Sequence, residues 1–208
     1  MTSILIASNN AHKLQEFQEI FLQFGAPEVA LLTPASQGID LAPEETAETY
    51  LANARIKARA FHEVLRRQER LRPDTWVMAD DSGLEVAALD GAPGIRSARY
   101  HKAAPGGDGC AALLQEMTSV PDVRRSARFR AVIVFIGPDG HEYDFEGVCE
   151  GSIGKEKRGA GGFGFDPVFR MPEDGRHMAE LSSREKHRLS HRGIAAQKVI
   201  AFLKSQGV

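Results

Sequence analysis

Four groups of residues in this chain have the makings of a reactive site. The first is Asp80-Asp81-Ser82-Gly83, which follows the apolar run Trp76 to Ala79. Neighbouring side chains on a strand point to opposite faces, so the two carboxylates have different surroundings and do different work. In one reading, one of them holds Mg2+ or activates water while the other braces the backbone; in the other, the four residues are a plain turn, which Asp, Ser and Gly favour. A buried strand that runs into two charges is costly unless each charge finds a partner. Glu44 and Glu45 are a second source of carboxylate. Acidic residues at a helix start are also favoured by the helix dipole and then need no metal.

Lys13 lies where a helix should begin, after the strand-like opening and the polar turn Ser8-Asn9-Asn10. A cation in a first helical turn is disfavoured by about 0.3–1 kcal/mol. An anion reverses that sign, and free N–H groups at a helix start together with a lysine suit a phosphate chain. The third group is Gly159-Ala160-Gly161-Gly162-Phe163-Gly164-Phe165-Asp166-Pro167. It contains GxGxxG but has no clear strand before it and no helix after it, so a dinucleotide fingerprint is excluded. What remains is a pliant backbone carrying two rings, either an aromatic face for a flat base or a turn with core phenylalanines. The fourth is Lys186 with Ser190-His191-Arg192-Gly193. Ser190 can cap a new helix that starts with His191 and Arg192, again placing a cation in a first turn. His187 and His191 are four apart but lack a third metal ligand, and His187 is assigned to a charged helix surface.

Other chemistries fail. Gly151-Ser152-Ile153-Gly154-Lys155 is followed by Glu156 and is no phosphate-binding Walker loop, and there is no GxSxG. The arginines at 66, 67, 70 and 72 and at 124, 125, 128 and 130 are read as solvated faces. With 26 Lys plus Arg against 28 Asp plus Glu, the 208-residue chain has a net charge of −2, which excludes a long nucleic-acid backbone as the main partner. Two cysteines are too few for a disulfide framework or a zinc cluster. No 18-residue apolar run exists and no basic stretch precedes Ile4, so membrane and secretory readings are set aside and a cytoplasmic setting is expected. Glycine is uneven: 15 of the 20 fall within 83–109 and 137–164, as if backbone there were shaped for a purpose.

The elements that must position these groups follow from periodicity. Ser3 to Ala7 reads as a buried strand, and Leu14, Phe17, Phe21 and Phe24 as the apolar stripe of a helix capped near Asn10. A second helix is expected from Thr46 to about Arg67, starting among Glu44, Glu45 and Glu48. A short strand, Trp76–Ala79, should end at the aspartates. Gly91 to Gly109 reads as loop, and Cys110 to Met117 as a short helix. Ala127 to Ile136 and His141 to Gly151 flank the turn Gly137-Pro138-Asp139-Gly140 as a hairpin, long and exposed enough to sit near an interface. Ser182 and Glu185 form a capping box, and Ile194, Ala195, Val199, Phe202 and Leu203 give the last helix its apolar face. The expectation is one α/β domain over 1–208, with a mixed central sheet flanked by helices.

In this order, Ser8-Asn9-Asn10-Ala11-His12-Lys13, Glu44-Glu45-Thr46, Asp80-Asp81-Ser82-Gly83-Leu84, Gly91-Ala92-Pro93-Gly94-Ile95, Ser97-Ala98-Arg99-Tyr100, Gly162-Phe163-Gly164-Phe165-Asp166-Pro167, Glu185-Lys186 and Ser190-His191-Arg192-Gly193 resemble the inosine triphosphate pyrophosphatase family, also called Ham1-like, over nearly the whole chain. The resemblance implies the fold of the Ham1- and Maf-like nucleoside triphosphate pyrophosphatases. It also implies a homodimer that uses Mg2+ to hydrolyse ITP, dITP and XTP to the monophosphate and pyrophosphate, which cleanses the nucleotide pool. It assigns Ser8, Asn9, Asn10, Ala11, His12 and Lys13 to the triphosphate, and Glu45 and Asp81 to the metal. By the same resemblance Asp81 matches the family's proton acceptor and Ser82 a substrate contact. The resemblance further implies that Phe163 stacks on the base, with Gly164, Phe165, Asp166, Lys186, His191 and Arg192 around it. Phe165 stands where many relatives carry Tyr or Trp, and the segment from His101 to Gly109 departs from the relatives' small polar run. The alternatives are a pyrophosphatase for methylated or pyrimidine nucleotides and a non-catalytic nucleotide sensor or RNA-binding module.

Overall fold

A computed structural model describes residues 2–25 and 28–207. The first strand, β1 (Ser3–Ile6), leads through the Ser8–Asn10 turn into helix α1 (Ala11–Gln23). Asn10 caps that helix, its side-chain oxygen accepting the N–H groups of His12 at 3.0 Å and Lys13 at 3.3 Å. Strand β2 (Ala30–Leu32) pairs parallel with β1, and helix α2 (Tyr50–Arg67) follows, capped by Thr49. Strand β3 (Thr75–Val86) pairs parallel with β1 on its other edge. Then come α3 (Ser97–Ala103), α4 (Gly109–Glu116), the hairpin β4 (Ser126–Ile136) and β5 (Glu142–Ile153), and β6 (Phe169–Arg170), which is antiparallel to β5. The chain closes with α5 (Ser183–Leu189) and α6 (His191–Ser205). The strand order is β2-β1-β3-β4-β5-β6, a mixed sheet, as the alternation of elements requires.

The chain divides into two compact units. One comprises residues 1–81, 131–147 and 192–208, the other 82–130 and 148–191.

Strand alternation organises the first unit. Ile4 and Ile6 of β1, Met78 of β3 and Ala131, Ile133 and Phe135 of β4 share one cluster with Phe17, Ile20 and Phe21 of α1 and Ala195, Val199 and Leu203 of α6. Leu5, Val77, Ala79, Val134 and Ile136, the intervening residues, pack instead on Ala54, Ala58, Phe61 and Leu65 of α2. Each face of these strands therefore carries its own helices. In the second unit, Leu84, Val86, Leu113, Phe129, Ile153, Phe165, Phe169 and Met178 form a separate core.

Several expectations are corrected. The Asp80-Asp81-Ser82-Gly83 segment is no turn: β3 runs through it to Val86, because β-bonding neighbours continue on the sheet. A β-carbon on Gly83 would lie 2.1 Å from the carbonyl oxygen of Gly94, so this strand position is closed to any side chain. Helix α2 begins at Tyr50, leaving no acidic residue in its first turn and removing the helix-dipole account of Glu44 and Glu45. The stretch 91–109 contains α3. Strand β4 is interior in the sheet, with every residue from Ala131 to Ile136 buried and only Ser126 and Arg128 exposed near its start, while β5 is partly exposed along its length. Arg125 is buried rather than solvated and donates to the carbonyls of Met117, Val120, Ile153 and Gly154 at 2.6–3.2 Å. His187, 3% exposed, is buried rather than on a charged helix surface.

Candidate functional site

The faces of β3 determine the surroundings of its two aspartates. Asp80 continues the face of Trp76 and Met78, which packs on α1 and α6, and those helices supply its cations. Lys13 Nζ lies 2.9 Å from Asp80 Oδ2, and Arg192 reaches the same oxygen at 3.4 Å while its other amino group meets Glu16 at 2.5 Å. Asp81 continues the face of Val77 and Ala79, which packs on α2, and Lys57 of that helix lies 3.7 Å from it. The same ammonium holds Glu45 at 2.6 Å. Two adjacent carboxylates thus occupy two different environments, as alternation predicts.

Their acidities diverge accordingly. Burial opposes the charge of Asp80, but Lys13, Arg192 and Lys57 outweigh it and hold the carboxyl well below the usual range. For Asp81 burial wins: its pKa is pushed up to about 6, Lys57 and Lys13 pulling it down while Glu45 and Asp80 add to the rise. Lys13 is lowered by burial despite Asp80. Lys57 is raised, since Asp80, Asp81 and Glu45 together exceed its own burial cost. A carboxylate with a pKa near neutrality beside one fixed as an anion is a pairing suited to acid–base work.

These seven side chains set the cations Lys13, Lys57 and Arg192 against the carboxylates Glu16, Glu45, Asp80 and Asp81. The excess negative charge, and the raised Asp81, favour the arrival of a cation. Among the described residues no group of three or more His, Cys, Asp or Glu is placed to hold a metal alone. Two hard carboxylates, Glu45 and Asp81, fit Mg2+, which binds few protein carboxylates and completes its shell with water and substrate phosphate. Glu44 is exposed, while Glu45 is the one turned to Lys57.

The turn before α1 is more self-contained than expected. The Asn10 cap occupies the N–H groups of His12 and Lys13, and Ser8 Oγ accepts the N–H of Asn10 at 3.2 Å, so these donors are not free. Asn9 donates to the carbonyl of Leu41 at 3.0 Å. Asn9, Asn10, Ala11 and His12 are exposed, and Ser8 half-buried.

In the second unit the residues of the glycine-rich turn and of α5 meet. Asp166, 3% exposed, accepts the N–H of Phe163 at 2.8 Å and the ammonium of Lys186 at 2.6 Å. Lys186 also sits 5.0 Å above the half-buried ring of Phe163, a cation–π contact. Gly162 has φ 69°, and a β-carbon there would lie 2.0 Å from the Asp166 carboxylate, so only glycine closes this turn. Phe165 takes the other course: its ring is 2% exposed and belongs to the core, leaving Phe163 as the accessible aromatic face of the pair. His191 stacks on Phe129 at 4.7 Å with the rings 10° apart. It opens α6 directly after Ser190, as the sequence suggests. Ser82 is half-buried, one residue beyond Asp81. The Gly94 and Ser97 motif residues brace the strand beyond it, Ser97 Oγ accepting the N–H of Leu84 at 2.9 Å and donating to Gly94 at 2.7 Å.

Sequence reasoning missed Lys57 and Glu16. A lysine three residues after Ala54 and next to Ala58 borders the buried stripe of α2, and a glutamate next to Phe17 borders that of α1. A charge beside a helix's core-facing stripe was the available signal.

Comparison with known proteins bears on the family and the fold. A family model described as the Ham1 family matches residues 4–202. The dITP/XTP pyrophosphatase of Treponema denticola is 39% identical over 207 residues, covering 97% of this chain and 98% of that protein. That of Methylococcus capsulatus is 42% identical over 208 residues, covering 97% and 96%. The solved structure of the Staphylococcus aureus Ham1 protein superposes with a TM-score of 0.81 at 36% identity, covering 99% of this chain and all of that one. With the family's motifs in order and its fold in place, the chain belongs to the Ham1 family.

Proposed function

We propose that the chain hydrolyses deaminated purine nucleoside triphosphates, ITP, dITP and XTP, to the nucleoside monophosphate and pyrophosphate, with Mg2+, as a cytoplasmic homodimer. The observation that carries the reaction is the split on β3: Asp81 at a pKa of about 6 beside Asp80 held ionised. Lys13 offers positive charge to the triphosphate, and Asp80 keeps it desolvated and aimed. Glu45 and Asp81 would hold Mg2+. When bound, the ion neutralises phosphate oxygens and lowers the pKa of water. Asp81 accepts the proton of the water that attacks the α-phosphorus, and Lys57 steadies the carboxylate as its charge changes.

Phe163 takes the base on its face, with Lys186 and Asp166 fixing the turn that carries it. A donor directed at a 6-oxo group meets another donor when adenine's 6-amino group arrives, and such an unpaired arrangement discriminates strongly. Removal of deaminated nucleotides before polymerases use them is the corresponding role. The relatives named dITP/XTP pyrophosphatase support the substrate class.

Incubation with ITP, dITP, XTP, GTP, ATP and dTTP plus Mg2+, with pyrophosphate and orthophosphate measured separately, tests the proposal. Pyrophosphate release on the deaminated purines is expected. Orthophosphate alone, or equal rates on ATP and ITP, would overturn it.

A further inference from the structure

Beneath the Phe163 turn lies a histidine that the reaction above does not use. His101, in α3, stacks its ring on Phe165 with centroids 4.2 Å apart and planes at 42°. Its Nδ1 accepts the backbone N–H of Gly109, the first residue of α4, at 3.2 Å. That bond places the imidazole proton on Nε2. Nε2 faces Gly164, where a β-carbon would lie 3.9 Å away, and this buried atom has no hydrogen-bond partner among the described residues. Cys110, next in α4, donates its thiol to the carbonyl of Gly164 at 3.2 Å. Burial lowers the pKa of the ring, Asp108 opposing and Lys157 reinforcing that, so the neutral acceptor form prevails near pH 7.

A buried N–H without a partner is destabilising, and a phenylalanine would fill the same space without that cost. The histidine is better explained by what its two sides do together: Nδ1 is anchored to the start of α4, and the ring stacks on Phe165 next to Gly164. The turn is also held by Asp166, which accepts the N–H of Phe163 and the ammonium of Lys186. Gly109 allows this arrangement, since a β-carbon there would lie 2.5 Å from Nδ1.

We infer that His101 is a positioning residue for nucleotide selection, a strut from the N-terminus of α4 that sets the Gly164–Phe165 backbone and thereby the ring of Phe163. The inference rests on Phe163 being the base platform. It concerns binding of the base, not the chemical step, so KM and kcat should separate.

The test measures KM and kcat for ITP, and the inhibition constant of inorganic tripolyphosphate, which has phosphates but no base. His101→Asn keeps an acceptor for Gly109 but loses the ring; His101→Phe keeps the ring but loses the acceptor; Gly109→Ala expels the ring from the other side. Each should raise KM for ITP by about three- to tenfold, the scale of one lost hydrogen bond or ring contact, with kcat and the tripolyphosphate constant unchanged. Alanine favours a helix more than glycine does, so a weakened Gly109→Ala that retains wild-type far-UV circular dichroism isolates the strut from folding. Unchanged KM in His101→Asn and Gly109→Ala, or equal losses for ITP and tripolyphosphate, would overturn the inference. Phe163→Ala separates the two levels. If it raises KM while the His101 and Gly109 variants do not, the strut alone is wrong; if it leaves KM unchanged, the base platform is wrong and the strut with it.

Discussion

Replacing Asp81 with asparagine should stabilise the protein at neutral pH while abolishing turnover. The Asp81 side chain is 6% exposed, and its pKa is pushed up to about 6 from 3.8, chiefly by burial. Above pH 6 the native chain carries an ionised carboxylate that the unfolded chain would accommodate in water. Protonation linkage over the interval from 3.8 to about 6 makes that charge cost about 3 kcal/mol. The sign follows from proton counts. Between pH 4 and 6 the native state holds its proton more tightly than the unfolded state, so wild-type stability falls as pH rises through that window and then levels off. Asparagine removes the cost, but it also takes a charge 3.7 Å from Lys57, which keeps Glu45 at 2.6 Å. The attraction of Lys57 is already contained in the net rise of the pKa, so the gain is about 3 kcal/mol at pH 8 and shrinks to nothing near pH 4. Urea unfolding followed by Trp76 fluorescence measures it. Trp76 is the only tryptophan, stacked 4.5 Å from Phe135 in the same unit as Asp81. An Asp81→Asn protein less stable than wild type at pH 8, or a gap that does not change with pH, would refute the reasoning.

Asp80→Asn should do the opposite, lowering stability at pH 7 by about 3 kcal/mol because Lys13 and Arg192 remain buried beside a neutral amide. Since the Asp80 pKa is depressed, its contribution in the wild type is present above the ordinary aspartate range and lost as pH falls below about 4, which acid titration of both proteins checks. Glu45→Gln should raise the Mg2+ concentration for half-maximal activity by about tenfold and leave Lys57 facing Asp81 alone of the two carboxylates, measurable by Mg2+ titration of turnover and by calorimetry. Arg125→Ala should destabilise the second unit by about 3 kcal/mol or more, because the carbonyls of Met117, Val120, Ile153 and Gly154 lose a charged donor; hydrogen exchange in 117–125 and 148–154 reads it.

Much of the arrangement was legible from periodicity. The stripe Leu14, Phe17, Phe21 and the cap at Asn10 located α1, and the capping box of Ser182 and Glu185 located α5. Alternation on β3 foretold that Asp80 and Asp81 would face different partners, although not which ones. Other features left no local trace. Strands β2 and β6, of three and two residues, are too short to show a period and exist because longer neighbours pair with them. Continuation of β3 through two aspartates and a glycine contradicts local preference, and tertiary pairing overrides it. Burial of Arg125 within a run of exposed arginines depends on carbonyls distant in sequence, which no spacing rule reveals. The same holds for Phe165, whose fate in the core separates it from Phe163 two positions earlier.

The closed position at Gly83 bears on how loss of activity in this chain should be interpreted. Even alanine there would collide with the carbonyl of Gly94, and the accommodation must come from that loop or from the strand that carries Asp81 two residues upstream. Such a lesion would leave every acid, base and cation chemically intact. In a mutational scan it would pass as the mildest of changes, one methyl group, and yet behave like the deletion of a functional group. Tolerance at this position therefore reports on alignment of the strand, and a survey that scores substitutions by chemical severity would rank it last when it belongs among the first.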